Sequence, residues 1–120
     1  MIAWDGGREA TRAIVDAMPF LVKAKKIHLL SINEKADKDY EFPDIDIAAY
    51  LAKHDINVEI EISDITDMSP SELLLLRAAR NEADLIVMGA YGHHRITELI
   101  LGGMTHDILK KTNLPVLMSY

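Results

Sequence analysis

The chain has 120 residues, 49% of them apolar and 27% charged, which is the composition of one folded domain and excludes a disordered tail. Thirteen Lys and Arg against nineteen Asp and Glu leave a net charge of −6; such a chain repels nucleic acid and anionic membranes, although a local basic spot can still hold a small anion. With no Cys, disulfides, thiolate catalysis and Cys-ligated metal centres are excluded.

No apolar run reaches membrane-spanning length, and the opening MIAWDGGREA does not read as a signal peptide. The expectation is a single soluble, cytoplasmic domain over residues 1–120.

Met1 to Trp4 forms a short apolar opening that stops at the turn signal Asp5-Gly6-Gly7. From Arg8, apolar residues at Ala10, Ala13, Ile14, Ala17 and Leu21 predict a helix, with Pro19 expected to kink or break it. Ile27 to Ile32 has strand length and composition. Asn33 to Asp44, which includes Asp37 and Asp39, reads as the one long loop, and its acidic spacing does not resemble a calcium loop. Ile47, Tyr50 and Leu51 predict a short helix ended by His54-Asp55.

Asn57 to Ser63 alternates between Val58, Ile60, Ile62 and Asn57, Glu59, Glu61, the pattern of a half-exposed strand at a sheet edge. Ser69-Pro70-Ser71-Glu72 combines a capping residue, a proline at the first helical position and a capping-box glutamate. That helix should run to about Asn81. Asp84 to Met88 is apolar after its first residue, as suits a central strand covered on both faces. A glycine-punctuated loop from Gly89, a last helix to about Thr112 and a strand over Pro115–Ser119 complete the chain.

Strands alternating with helices imply an α/β fold: an open five-stranded parallel sheet with helices on both faces. A central DLIVM and an edge-like NVEIEIS favour the order 3-2-1-4-5, in which ligands bind at the carboxyl ends of the strands where the order reverses. The loops at that crevice are Asp5-Gly6-Gly7 and Gly89 to Gly103. Glycines there let backbone N–H groups approach an anion, and a helix N-terminus adds a favourable dipole. The spacing Gly89, Gly92, Gly102 is neither a Walker A loop nor a dinucleotide fingerprint, so on spacing alone a plain turn and a phosphate loop both remain open.

At these residues the sequence resembles the universal stress proteins, over essentially the whole chain. The resemblance rests on Ile2-Ala3-Trp4-Asp5-Gly6, on Asp84-Leu85-Ile86-Val87-Met88-Gly89, on Gly89-x2-Gly92-His93-x-Arg95 followed by Leu101-Gly102-Gly103-Met104-Thr105, and on Asn113-Leu114-Pro115-Val116-Leu117-Met118. It implies the 3-2-1-4-5 sheet of adenine-nucleotide α-hydrolase-like folds and, in the nucleotide-binding branch, a bound ATP or AMP, with or without magnesium.

Carried over, Asp5 would read the adenine–ribose end. Ser31 to Asn33 would line the adenine pocket, with Ile32 as its apolar wall. Met88 and Gly89 would sit beside the ribose and phosphates, and amides near Gly92, Gly102, Gly103 and Met104 would cradle the phosphates. His93 and Arg95 match the family's His-x-Arg, either as phosphate-side or partner-contact groups or as structural hydrogen-bonding ones.

Two positions depart from that pattern. Gly103 stands where the binding branch has Ser or Thr, and Gly7 where it often has Ser. Losing the phosphate-side hydroxyl alone removes a hydrogen bond to a charged group, about tenfold to a hundredfold in affinity. Thr105 is placed to substitute in part. The Gly-Gly-x-Thr form, with so short a first strand, resembles the second half of members built as two fused copies.

Each residue has a plainer reading as well. Asp5 can cap the first helix instead of touching ligand. His94 suits a solvated loop, and His28 a structural place in its strand. Glu98 suits loop support, and Asp107 beside His106 suits the positive end of the last helix.

The leading expectation is therefore an adenine-nucleotide-binding, ligand-responsive module, with at most weak ATP hydrolysis, since no P-loop lysine or placed base is evident. The alternative is a domain that binds no nucleotide and works through dimerisation or pairing with a sister copy along Val116-Leu117-Met118.

Overall fold

The computed structural model describes residues 1–33, 44–64, 67–91 and 103–120. Strand β1 (Ile2–Trp4) leads into helix α1 (Arg8–Leu21), β2 (His28–Asn33), α2 (Asp44–Ala52), β3 (Glu59–Asp64), α3 (Pro70–Arg80), β4 (Ile86–Gly89), α4 (Met104–Lys111) and β5 (Val116–Ser119). Among the described residues the strands form one five-stranded sheet in the order β3-β2-β1-β4-β5. Every neighbouring pair is parallel, with Ala3 facing Leu30 on one side and Met88 on the other. The expected topology is the observed one. Of the expected loop from Asn33 to Asp44, Asn33 instead ends β2 and Asp44 begins α2, and residues 34–43 lie outside the described residues.

Alternate strand residues point to opposite faces, and the helices divide accordingly. Ile2, Trp4, Leu29 and Val87 pack with Ala10, Ala13, Ile14, Ala17 and Leu21 of α1 and with Ile47 and Leu51 of α2. On the other face, Leu30, Ile86 and Met88 pack with Leu74 and Ala78 of α3 and with Ile108 of α4. A central strand must be apolar on both sides to fill two such layers. That is why β4 reads as an unbroken apolar run, whereas β3 at the edge alternates.

Edge position explains β3 in detail. Two of its carboxylates are ion-paired, Glu59 with Lys26 at 3.2 Å and Glu61 with Arg77 of α3 at 2.9 Å, and Glu59 also lies 3.3 Å from Nδ1 of buried His28. Such pairs at a surface contribute little individually, but charges along an edge oppose stray strand pairing. His28 thus has the structural place expected of it.

Pro19 does not end α1. The helix continues to Leu21, and the Val22 N–H still bonds to the Met18 carbonyl at 3.0 Å. Proline near the end of a helix forfeits one backbone bond, roughly 1 kcal/mol. Burying Leu21 in the core returns about 1.5–3 kcal/mol, so packing wins.

Helix α3 starts as its sequence requires. Ser69 Oγ accepts the Glu72 N–H at 3.3 Å, and Glu72 Oε2 accepts the Ser69 N–H at 3.1 Å. The Ser69 N–H first, and the Ser69 hydroxyl after it, hold the Glu72 carboxyl below its ordinary range. A depressed folded-state value means the contribution is present above the unfolded pKa and is lost as pH falls through the folded one.

At the end of β4, Gly89 lies against the first turn of α1. A Cβ built there would stand 2.7 Å from the Ala10 nitrogen and 2.9 Å from the Glu9 carbonyl carbon. Both obstacles are main chain, so a side chain forces the helix off the sheet.

Three outcomes follow for urea unfolding followed by circular dichroism. Ser69→Ala lowers stability by about 1 kcal/mol by removing the cap on the Glu72 N–H, and Glu72→Gln flattens the fall in stability that the parent shows on acidification through the carboxylate range. Gly89→Ala costs more, about 1–3 kcal/mol, because overpacking against backbone has no cheap relief.

Candidate functional site

The carboxyl ends of β1 and β4 meet where the strand order reverses, and two turns rise from them. After β1 the chain makes a tight turn in which Gly6 takes φ 75°, a left-handed conformation open to glycine at little cost. Asp5 Oδ1 accepts the N–H of Gly7 at 2.8 Å and closes this turn. Gly7 is the N-cap of α1, and it brings no side chain to the first-turn amides. Asp5 itself is exposed. Its carboxylate therefore stands at the mouth of the crevice, tied by one oxygen to its own turn.

After β4, the Ala90 N–H bonds to the Ser119 carbonyl at 2.8 Å, extending the sheet by one bond. Tyr91 then adopts φ 55°, a left-handed conformation that a bulky residue enters only at a cost of about 1–3 kcal/mol. Its N–H lies 3.5 Å from Oγ1 of buried Thr105, the second residue of α4. The Thr105 hydroxyl is thus turned to the start of the loop and ties it to the helix at its end.

Helix α4 opens at Gly103 with no side-chain cap, and the Gly103 carbonyl accepts the Asp107 N–H at 3.1 Å. Gly103 has φ −54° and ψ 178°, backbone that any residue can adopt. First-turn N–H groups have no partner within their own helix, and the helix dipole makes them attractive to an anion. Asp107 is drawn toward α3, where Ser71 Oγ donates to its Oδ2 at 3.2 Å.

Beside these turns the α3/α4 face offers an apolar floor. Ile32, at the end of β2, and Met104, at the start of α4, are half-buried on the α3/α4 face beside Met88. Met88 is buried within that layer, so its side chain belongs to the core and only its main chain reaches the sheet end. Ala3 is half-buried on the same face, next to Leu30 and Met88 in register, and sequence reasoning did not single it out. The available signal was a small residue inside an otherwise bulky strand. Ser31, by contrast, is buried opposite Trp4 and belongs to the other face.

Of the residues expected at a ligand, Asp5, Ile32, Met88, Gly89, Gly103, Met104 and Thr105 are described and gather at this end of the sheet. Gly89 is occupied in admitting α1. Gly92, His93, Arg95 and Gly102 lie outside the described residues, as do His94 and Glu98.

Comparison with known proteins agrees with this architecture. The family model described as "Universal stress protein family" matches residues 1–119. Universal stress protein Slr1230 of Synechocystis is 51% identical over 37 residues, 31% of this chain and 13% of that protein. Universal stress protein MJ0577 of Methanocaldococcus jannaschii is 33% identical over 63 residues, 52% of this chain and 39% of that one. The matched stretches thus span well under half of these relatives.

Among solved structures, a universal stress protein from Archaeoglobus fulgidus superposes with a TM-score of 0.74 at 23% identity, covering 98% of this chain and 42% of that chain. A universal stress protein described in complex with cAMP superposes with a TM-score of 0.65 at 17% identity, covering 99% of this chain and 94% of that one. At such identities the superpositions establish the shared fold. A match to the family model over nearly every residue, on the 3-2-1-4-5 sheet, identifies the chain as a member of the universal stress protein family.

Proposed function

We propose that residues 1–120 form one domain that binds an adenine nucleotide, ATP or AMP, and serves as a ligand-responsive module in a stress response. The observation that carries this reading is a convergence at the strand ends. An exposed carboxylate at Asp5, an apolar floor of Ala3, Ile32 and Met104, and a start of α4 with no side-chain cap all lie at the carboxyl end of the sheet. An adenine nucleotide is itself divided in that way: a flat apolar base, a ribose with hydroxyl donors, and phosphates. The base would lie on the floor, Asp5 would accept from the adenine–ribose end, and the amides of Gly103, Met104 and Thr105 would meet the phosphates.

Gly92, His93, Arg95 and Gly102 belong to the same reading as the rest of the phosphate loop, on the strength of the family motif. Magnesium would enter with the phosphates of ATP. The relative described in complex with cAMP supports adenine-nucleotide recognition as an activity this fold can host.

Isothermal titration with ATP and AMP, each with and without magnesium, tests the proposal. Saturable binding is expected, and no heat together with no thermal shift at millimolar ligand ends it. Gly103→Ser places a hydroxyl at the start of α4 on backbone that already accommodates it. It should tighten binding about tenfold.

A second reading draws on β5. Among the described residues this strand is an edge, its Val116, Leu117 and Met118 are only half-buried, and Tyr120 beyond them is 70% exposed. An apolar edge of this kind suits pairing with a second copy or a sister domain. Light scattering should then show a dimer that Leu117→Lys dissociates; a strict monomer at high concentration removes this reading.

A further inference from the structure

The turn after β1 contains a steric relation between neighbours. Asp5 Oδ1 sits 2.8 Å from the Gly7 nitrogen, and a Cβ built on Gly7 would stand 2.9 Å from that same oxygen and 3.5 Å from the Asp5 Cγ and Oδ2. All three close atoms belong to the Asp5 carboxylate. Gly7 has φ −84° and ψ 166°, so its backbone does not require glycine. What glycine supplies here is space, and Asp5 occupies it.

We propose that Gly7 is a positioning residue: by leaving room above its amide, it lets Asp5 commit Oδ1 to its own turn, and this withdrawn posture competes with the posture in which Asp5 accepts from a bound nucleoside through both oxygens. The proposal rests on the adenine-nucleotide reading. A ligand that takes both oxygens of Asp5 must first break the bond from the Gly7 amide, a hydrogen bond to a charged group. The site carries that cost in every binding event, and it falls on the nucleoside end, leaving the phosphate end untouched. A methyl group at position 7 is relieved most cheaply by rotation of the Asp5 carboxylate, because the side-chain oxygen moves more easily than backbone. Residue 7 therefore tunes affinity without touching ligand.

The test is a double-mutant cycle read by titration with adenosine and, separately, inorganic phosphate. Gly7→Ala should tighten adenosine binding about fivefold to tenfold by removing the withdrawn posture. In an Asp5→Asn background the same change should leave adenosine affinity unaltered, and inorganic phosphate should bind Gly7→Ala and the parent alike. Gly7→Ser should match Gly7→Ala for adenosine if the effect is steric.

A thermal melt of each variant separates stability from affinity, since loss of the turn bond lowers melting temperature whether or not Asp5 reads ligand. Weakened or unchanged adenosine binding by Gly7→Ala, with the parent still binding, overturns the proposal and leaves the nucleotide reading standing. An equal gain in the Asp5→Asn background overturns it as well. Absence of adenosine, AMP and ATP binding in parent and variants alike overturns both.

Discussion

The close approach of α1 to the end of β4 is the constraint on which the crevice depends. Gly89 lets the Glu9–Ala10 backbone lie directly on the strand, with no side chain between them. That contact sets the height at which α1 begins and so the place of the Asp5–Gly7 turn beside the loop leaving β4. Were the helix held off by a side chain, the two turns would separate, and the mouth between them would lose its shape. The same packing brings Asp16 of α1 to Ser119, whose Oγ donates to it at 2.7 Å, and so joins α1 to the far edge strand.

Two layers of unequal purpose result. The α1/α2 face is filled by bulky strand residues, including Trp4, whose indole N–H has no hydrogen-bond partner among the described residues. Such a group costs stability when buried, and the chain tolerates it beside a dense apolar layer. The α3/α4 face is less completely closed at the strand ends, where Ala3, Ile32 and Met104 remain half-buried. A small residue at position 3, between Leu30 and Met88, keeps that face shallow. In open α/β sheets the switch point is the place where ligands bind.

Several polar residues serve the architecture. Thr105 links the loop start to α4 through the Tyr91 amide. Asp107 is held by Ser71 across the α3–α4 contact, and Ser71 also lies 3.0 Å from the capping hydroxyl of Ser69. A chain of hydroxyls thus ties the start of α3 to the first turn of α4. Asp5 sits between the two categories, bonded to Gly7 yet exposed, and its closure of the β1–α1 turn is a local use that neither a helix cap nor a ligand contact describes.

Periodicity by itself determined the element order, the capping box at Ser69–Glu72, the edge character of β3 and the two-faced burial of β4. These depend on neighbours three or four residues apart in a helix, or two apart in a strand. The short motifs at Asp5, Gly89 and Gly103–Thr105 all fall at the carboxyl end of the sheet. Only the tertiary structure decided the rest: that Pro19 leaves α1 unbroken, that Met88 turns into the core while Ala3 and Ile32 stay near the surface, and that Gly89 answers to α1 and Asp5 to Gly7. Each of those outcomes is set by packing, or by a side chain's choice among its rotamers. No pattern along one strand of text records how closely a helix approaches a sheet, or which way a carboxylate turns.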